Sequence, residues 1–301
     1  MMIRTYPFHS PTVFHDFPFL SIGKHNPHID ITACAKGFEE QYATAESHIN
    51  TVLKNRDQHS FLIMSGTFID HLRTKNPKQI TAIKKALDTG HISLLGTPYH
   101  HSIASLFSTD LFIKQVGLHL KIVKDVFDYT PTIFYNTNSI YSDRLARVYK
   151  KLGFKVALVP SSEWHLGGRT TTQPFYAKDN NIQLLIHDDQ GQCVEGSDSV
   201  EDFHKAAASE SYLVPYPIYH NEHLLSKITN GNKLVESLKL KILSLEKAAS
   251  EIQNSSLFTE LSSFTALEHF EKIADVNDLS SYDYYINMMN ILSDFELRYK
   301  L

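Results

Sequence analysis

Short apolar runs alternate with helical patterns along the first two thirds of the chain. The runs are rich in β-branched and aromatic residues, which is typical of buried strands. They predict strands at 3–9, 60–65, 91–95, 132–136, 155–159, 182–187 and 212–215. Between them, apolar residues recur at helical spacing and predict helices at 37–54, 77–90, 108–127, 142–153 and 200–209. Glycine ends the second and the fourth of these helices, as at many helix C-termini.

The repeated strand-then-helix order indicates a parallel sheet with helices outside it, and the number of units favours a barrel with seven strands. After residue 222 the pattern changes to helix throughout, interrupted at 230–232 and near 254. We therefore predict a (β/α)-barrel domain over 1–222. A helical C-terminal region over 223–301 is expected to pack against it.

Composition narrows the classes of partner. The 301 residues are 42% hydrophobic, enough for a sizeable core, and the formal net charge is −4. Near-balanced charge argues against a general nucleic-acid binder. The chain has two cysteines, no apolar run of a signal peptide at its start and no apolar stretch of membrane-spanning length. These features predict a cytoplasmic protein without nucleic-acid or membrane partners, and they leave its oligomeric state open.

Several segments near predicted strand ends carry polar residues suited to a binding site. They read FHSP at 8–11, SGTF at 65–68, GTPYHHSI at 96–103 and FYNTNSIY at 134–141. Two later segments read LGGR at 166–169 and YPIYHNEH at 216–223. A long C-terminal run, SYDYYINMMNILSDFE, occupies 281–296.

In order and spacing, these segments resemble the motifs of the α-amylase-like branch of glycoside hydrolase family 57. That family has H-Q-P, S-G-T-F, G-E-T-Y-Y-H-S-L and F-x-N-T-E-L-I-Y at the corresponding places, and its C-terminal motif is close to 281–296. The resemblance extends over nearly the whole chain. It implies an α/β fold of the incomplete TIM-type (β/α)7 barrel, an α-glucan or oligosaccharide as the partner, and neither a cofactor nor a catalytic metal.

The resemblance also locates the two catalytic positions, and neither carries a carboxylate. Asn138 replaces the nucleophilic Glu, and Tyr216 is the better counterpart of the acid/base Asp, with Ser262 as a weaker alternative. Retaining glycosidases need two carboxyl groups about 5–5.5 Å apart. We therefore predict a catalytically impaired or inactive homologue, a pseudoenzyme, that has kept a glycan-binding function.

Other motif positions are candidate substrate-binding residues under the same resemblance. Trp164 could stack on a sugar ring or cap the barrel rim, and Arg169 could anchor a hydroxyl or pair with an acid. Glu222 and His223 could bind substrate or begin a helix. The predicted substrate-binding set is His9, Tyr99, His101, Trp164, Arg169, Glu222 and His223.

Two alternatives would make the chain an active enzyme. Relocated carboxylates at Asp188, Asp189 or Glu163 could support a hydrolase or transglycosylase, although adjacent residues on a strand point to opposite sides. Histidines at 100, 101, 220 and 223 invite a metal-dependent hydrolase. A zinc site needs three or four converging ligands. Pro217 and Asn221 favour a turn over a helix around the last two histidines, so no metal is predicted. A purely structural protein is a further alternative.

Overall fold

The computed structural model describes residues 4–55, 59–160, 175–178, 182–187, 222–229, 231–252, 255–275 and 278–301. Contacts divide the chain into two units. The first comprises the described residues within Met1–Ser10, Phe38–Tyr99 and Val116–His220. The second comprises those within Pro11–Gly37, His100–Gln115 and Asn221–Leu301. The domain boundary at residue 222 stays a prediction.

The strands lie in the first unit. Three of them, β1 (Arg4–Phe8), β2 (Ser60–Met64) and β3 (Ile92–Leu94), form a parallel sheet in the order β1-β2-β3. Each lies within a predicted strand. The register pairs Phe8 with Met64 and Leu62 with Leu94, so that the carboxyl ends of the three strands lie at one edge.

A second sheet contains β4 (Ile133–Tyr135), β5 (Val156–Pro160), β6 (Phe175–Tyr176) and β7 (Gln183–His187) in the order β4-β5-β7-β6. β4, β5 and β7 are parallel and match predicted strands, whereas β6 is a short antiparallel strand that the sequence pattern did not indicate. The predicted strand at 212–215 and the predicted helix at 200–209 lie outside the described residues.

A parallel bridge between Gly96 and Phe134 joins the two sheets. The Gly96 N–H donates to the Ile133 carbonyl at 2.8 Å, and the Tyr135 N–H donates to the Gly96 carbonyl at 2.8 Å. A Cβ at residue 96 would lie 2.4 Å from Cε1 of Phe154, so only glycine fits there. The parallel strands therefore follow one another in chain order, as in a (β/α)7 barrel. Within the described part of the chain they do not close into a complete barrel.

The helices of the barrel region occupy five stretches. α1 begins six residues before its predicted start, and α2 replaces what the sequence analysis treated as a turn. Ser65 caps α2 by accepting the Phe68 N–H at 3.2 Å. The bounds are α1 Ile31–Lys54, α2 Gly66–Lys75, α3 Pro77–Asp88, α4 Thr109–Phe127 and α5 Asp143–Lys151.

Both faces of the first sheet are buried. Along β2, Leu62 and Met64 belong to the cluster packed against the helices, whereas Phe61 and Ile63 belong to a cluster on the opposite face. Alternate residues of a strand point to opposite faces of the sheet. A continuous run of apolar residues such as 61–64 therefore supplies apolar side chains to the cores on both faces. This explains why the strands are readable as continuous apolar segments.

The second unit contains the helices predicted for the C-terminal region. Its core is aromatic: Phe264 stacks on Phe14 at a centroid distance of 5.0 Å and meets Phe295 edge-on at 5.9 Å. In the described part of the chain, no helix has the length and apolar character needed to cross a membrane. The helices are α6 Glu222–Thr229, α7 Lys233–Ile252, α8 Ser255–Ser263, α9 Leu267–Lys272 and α10 Leu279–Tyr299.

Candidate functional site

Polar residues follow β1 to β4 at the edge of the first unit where these parallel strands end. In barrels of this type, substrate-contacting residues collect at the carboxyl ends of the strands. We call this set the strand-end edge. It comprises His9, Ser10, Ser65, Thr97, Asn136, Thr137 and Asn138.

The turn after β4 holds Asn138 in a defined conformation. Asn136 accepts the Thr137 N–H at 3.0 Å and donates through Nδ2 to the Ile140 carbonyl at 2.9 Å, which closes the turn. Asn138 lies inside it with φ 50° and ψ 33°, in the left-handed region. Asparagine adopts this region more readily than most other residues with a side chain.

Asn138 is only 2% exposed. Tyr135 and Tyr149 are buried in the same region, and burial raises the pKa of both hydroxyls. Asn138 therefore lies in buried surroundings. Such surroundings suit an amide and would disfavour the charged form of a carboxyl group.

Ser10, the residue after His9, anchors the end of β1. Its hydroxyl lies 2.8 Å from Nδ1 of His71, and its carbonyl accepts a hydrogen bond from the Thr67 hydroxyl at 2.7 Å. Burial lowers the pKa of His71. His9 is half-buried and follows β1 directly, so these contacts fix the backbone on which it sits.

A buried histidine links the ends of β2 and β3. Nε2 of His119 donates to the Met64 carbonyl at 2.8 Å, so Nδ1 must accept, and the Thr97 N–H lies 3.5 Å from it. Burial lowers the pKa of His119 to about 4, which keeps the ring neutral at physiological pH. Thr97, the position of the acidic residue in the resembled motif, is itself buried.

Tyr99 makes contacts that hold the fold together. Its hydroxyl donates to Asp70, which also pairs with Arg73 at 2.7 Å. Burial raises the pKa of the Tyr99 hydroxyl, and the Asp70 carboxylate adds to that shift. The ring covers Gly66, where a Cβ would lie 2.0 Å from the Tyr99 Cδ2. Substrate binding by Tyr99 stays a prediction, and its hydroxyl is already committed to Asp70.

Two sequence-predicted positions lie in the second unit. His101 has a left-handed backbone, φ 53°, and its carbonyl accepts the Leu267 N–H at 3.1 Å. The Ser262 hydroxyl donates to the Thr259 carbonyl at 2.7 Å within α8. The Ser262 carbonyl accepts from Nε2 of Gln115 at 2.6 Å. Ser262 is thus a helix residue with a locally bonded hydroxyl, which is a poor acid/base group.

His100 is also described: it is buried, and its N–H donates to Oε1 of Gln115 at 2.9 Å. The other candidates fall where the structure gives no side chain. Glu222 and His223 are the first two residues of α6, and their side chains lie outside the described part. Within the described residues, no group of three or more His, Cys, Asp or Glu side chains is placed to hold a metal ion. The candidates outside the described residues are Glu163, Trp164, Arg169, Asp188, Asp189, Tyr216 and His220.

The sequence analysis missed the supporting residues on α2. Asp70 and His71 determine how Tyr99 and Ser10 are held, and neither was singled out. A signal was present, because Ser65 is a favoured N-cap residue directly before the helix. His119 was not among the predicted site residues, and the structure alone shows its contacts with Met64 and Thr97.

Parallel strands in chain order, helices outside them and polar strand ends define a barrel-type α/β protein with its candidate site at the strand-end edge. The family model described as glycosyl hydrolase family 57 matches residues 4–239, which is most of the chain. The chain belongs to glycosyl hydrolase family 57.

Two of the relatives found by comparison are a curated protein and a solved structure. A curated protein of Methanocaldococcus jannaschii named "Putative alpha-amylase" is 32% identical over 139 residues, which are 45% of this chain and 30% of that protein. The crystal structure of 4-alpha-glucanotransferase from Thermococcus litoralis is similar in fold with a TM-score of 0.52 and 12% identity. That match covers 71% of this chain and 32% of the other. In both comparisons, this chain corresponds to about a third of the relative's length.

Proposed function

We propose that this family 57 chain binds α-glucans or oligosaccharides and does not hydrolyse them by the retaining mechanism. The observation that carries the proposal is the amide of Asn138, buried in a left-handed turn at the end of β4. The relatives support the ligand class, since one is named for amylase activity and the other for transfer of α-glucans.

The chemistry of the amide supports the loss of hydrolysis. A retaining enzyme forms a glycosyl ester with a carboxylate and then releases it with water. An amide nitrogen or oxygen at position 138 cannot form and release that ester in the same way. Ser262, the described candidate for the second position, donates its hydroxyl inside α8 instead.

The neutral polar residues of the strand-end edge support retention of binding. His9 follows β1 on a backbone anchored through Ser10, and histidine can both donate and accept hydrogen bonds to sugar hydroxyls. His9 is half-buried and both of its ring nitrogens are buried, so a sugar hydroxyl reaches them only after neighbouring groups move aside.

Calorimetric titration with maltoheptaose and soluble glycogen tests the proposal, with product analysis on the same samples. We expect binding without cleavage, weaker binding by His9→Ala, and unchanged binding by the control His25→Asn, an exposed histidine in the second unit. A β-linked oligosaccharide serves as the ligand control. Cleavage by the wild type would overturn the loss of hydrolysis, and absence of binding would overturn the glycan-binding proposal.

If the wild type cleaves, three further variants identify the source. Loss of cleavage in Asp188→Asn or Asp189→Asn would indicate relocated carboxylates. Stoichiometric zinc in the purified protein, with loss of activity in His223→Ala, would indicate a metal-dependent hydrolase.

The variant Asn138→Glu combined with Tyr216→Asp restores carboxyl groups at both positions of the resembled motif. We predict no detectable turnover of maltoheptaose, because glutamate must adopt the left-handed backbone at 138 and ionise in a buried turn. Asn138→Gly, which accepts that backbone, is the control for folding. Clear turnover by the double variant would contradict the prediction.

A further inference from the structure

The second unit contains a cavity of its own, whereas the strand-end edge belongs to the first unit. The cavity has a volume of about 330 Å³, which is at the lower end of the range for pockets that hold small molecules. Its wall is formed by the 3₁₀ turn Ala104–Leu106 and the residue after it, by the last residue of α6 and by one side of α7. All of these residues belong to the second unit, so the cavity lies within one compact body.

A buried lysine lines this cavity. Lys239 is 8% exposed, and no other lysine among the described residues is buried. On α7 it lies between Val235, four residues earlier, and Ile242, three residues later, and both of these are fully buried. Lysine is almost never buried unless it is paired. Its place on the core-facing side of the helix therefore requires polar partners.

Lys239 has two such partners and one further donor. Its Nζ donates to Oε1 of Glu236 at 2.9 Å and to the carbonyl of Ile228, near the end of α6, at 3.3 Å. An ammonium group carries three N–H donors. The third has no acceptor within the part of the chain that the structure describes. Buried polar groups are normally paired with protein, water or a ligand, so this donor indicates a polar occupant of the cavity.

Glu236 supplies an acceptor beside this donor. Its side chain is 50% exposed, and only its Oε1 is bonded to Lys239. Oε2 of Glu236 makes no hydrogen bond to any residue that the structure describes. The ion pair holds the carboxylate in place and offsets its charge. The polar part of the lining therefore presents a donor and an acceptor side by side without a net charge.

The rest of the lining is mostly apolar. Leu106 and Phe107 contribute from the 3₁₀ turn, and Leu240 and Leu243 contribute from α7. Leu240 is 66% exposed, so the cavity opens beside an apolar side chain that water reaches. Phe107 packs against Phe270 at a centroid distance of 6.0 Å, which supports its ring from behind. Apolar walls with a few fixed polar groups are typical of small-molecule sites.

We infer that this cavity binds a neutral sugar of one or two rings, at a site separate from that of the proposed function. Hydroxyl groups on neighbouring carbons can accept from Lys239 and donate to Glu236 without breaking the ion pair. The C–H face of the ring then contacts the leucines. Glu236 disfavours an anion and Lys239 disfavours a cation. A free amino acid would compete with the ion pair, because its two charged groups need the same partners.

Methyl NMR of protein with ¹³C-labelled leucine tests the site, with maltose as the probe. We expect maltose to shift the methyl signals of Leu240 and Leu243 in a saturable way, because both residues line the cavity. The variants Leu240→Ile and Leu243→Ile assign the two signals. These signals report the cavity itself, so the result does not depend on whether the strand-end edge binds glucans. Absence of shifts in the wild type would overturn the inference.

Two variants test the polar pair. Glu236→Ala removes the acceptor, and Lys239→Met removes the donors while it keeps an apolar stem. Each should weaken maltose binding about tenfold or more, since each loses a hydrogen bond to a charged group. Glu236 is half exposed, so Glu236→Ala keeps the test decisive if Lys239→Met fails to fold. Glu251→Ala, at an exposed position of α7 outside the cavity, is the matched control and should bind as the wild type does.

The same signals decide the class of ligand. L-leucine is the competing probe, because it combines an ammonium, a carboxylate and an apolar side chain. We expect it to leave the signals of Leu240 and Leu243 in place at concentrations where maltose shifts them. Shifts produced by L-leucine and not by maltose, or maltose shifts that are unchanged in Glu236→Ala, would overturn the assignment of a sugar.

Discussion

Single residues at the strand ends have backbone and contact requirements that few side chains satisfy. Asn138 needs a left-handed backbone, and Gly66 needs the space above it for the Tyr99 ring. The Tyr99 carbonyl also accepts the Gly66 N–H at 2.8 Å, so both the ring and the backbone of Tyr99 contact Gly66. The shape of the candidate site therefore depends on residues such as Asn138 and Gly66, whose side chains carry no reactive group.

Gly66→Ala is predicted to destabilise the protein by about 1–3 kcal/mol, the usual cost of overpacking a well-packed site. The added Cβ would overlap the Tyr99 ring, which must then move away from Asp70. Urea unfolding followed by circular dichroism measures the loss. Gly117→Ala, where a Cβ meets nothing within 4 Å inside α4, is the control and should be neutral or stabilising. Equal stability of Gly66→Ala and wild type would refute the clash.

At the scale of elements, α10 contributes to the core of the second unit and also holds the loop before α1 through hydrogen bonds. Its flank carries Asn287, Asn290, Asp294 and Arg298, spaced by three and four residues, and each bonds to the backbone of the loop before α1. Asp294 is buried and also accepts from Nε2 of His28 at 2.7 Å and from Arg298 at 2.7 Å. Burial acts to raise the pKa of Asp294, but the Gly23 N–H, His28 and Arg298 together hold it below its usual value.

Asp294→Asn is predicted to lower the free energy of unfolding by about 3–5 kcal/mol at neutral pH, because it leaves His28 and Arg298 without their shared carboxylate. Since the pKa of Asp294 is depressed in the folded state, its contribution is present above about pH 4 and is lost as the pH falls further. Asp283→Asn on the exposed side of α10 is the matched control, with an expected change within about 0.5 kcal/mol. A loss no greater than that of the control would show that the cluster contributes little.

The elements differ in how readily the sequence reveals them. β2 and β5 were predictable because they are apolar on both faces, and α7 and α10 because their apolar residues keep helical spacing. The early start of α1 was missed, although Asp30 accepts the Ala33 N–H at 2.9 Å as an N-terminal cap.

Contacts between distant segments were less accessible to sequence reasoning. α2 was missed because it begins with glycine directly after a strand. The role of Tyr99 could not be read from its own segment, since it depends on Asp70, which the missed helix supplies. Asn138 was located by resemblance, but its left-handed backbone was not foreseen.

Over the whole molecule, buried neutral histidines link stability to pH. Burial lowers the pKa of His119 to about 4 and that of His59 to about 4. An unfolded histidine titrates near pH 6.5, so between these values the unfolded chain binds protons that the folded chain does not. Stability therefore falls as the pH falls from about 6.5 to 4, by on the order of 3 kcal/mol for each histidine.

His119→Gln is predicted to flatten the dependence of unfolding free energy on pH between about 6.5 and 4, since one of the titrating histidines is gone. The variant is also expected to be less stable at neutral pH, because the bond to the Met64 carbonyl is altered. Urea unfolding at a series of pH values gives both quantities. His25→Asn, which replaces an exposed histidine, should keep the wild-type slope, and an unchanged slope in His119→Gln would contradict the assignment.

The hydrogen bonds of α10 also constrain how the protein is made. The loop residue Phe17 bonds to Asn287, which is 270 residues later, and Gly23 bonds to Asp294, which is 271 residues later. At about 5–20 residues per second, a ribosome needs roughly 10–50 s to supply these partners after the loop has been synthesised. During that interval Phe14 and Phe17, which end up buried, have no α8 or α10 to pack against. The aromatic side chains of this loop therefore lack their native packing partners in the nascent chain until α10 has been synthesised.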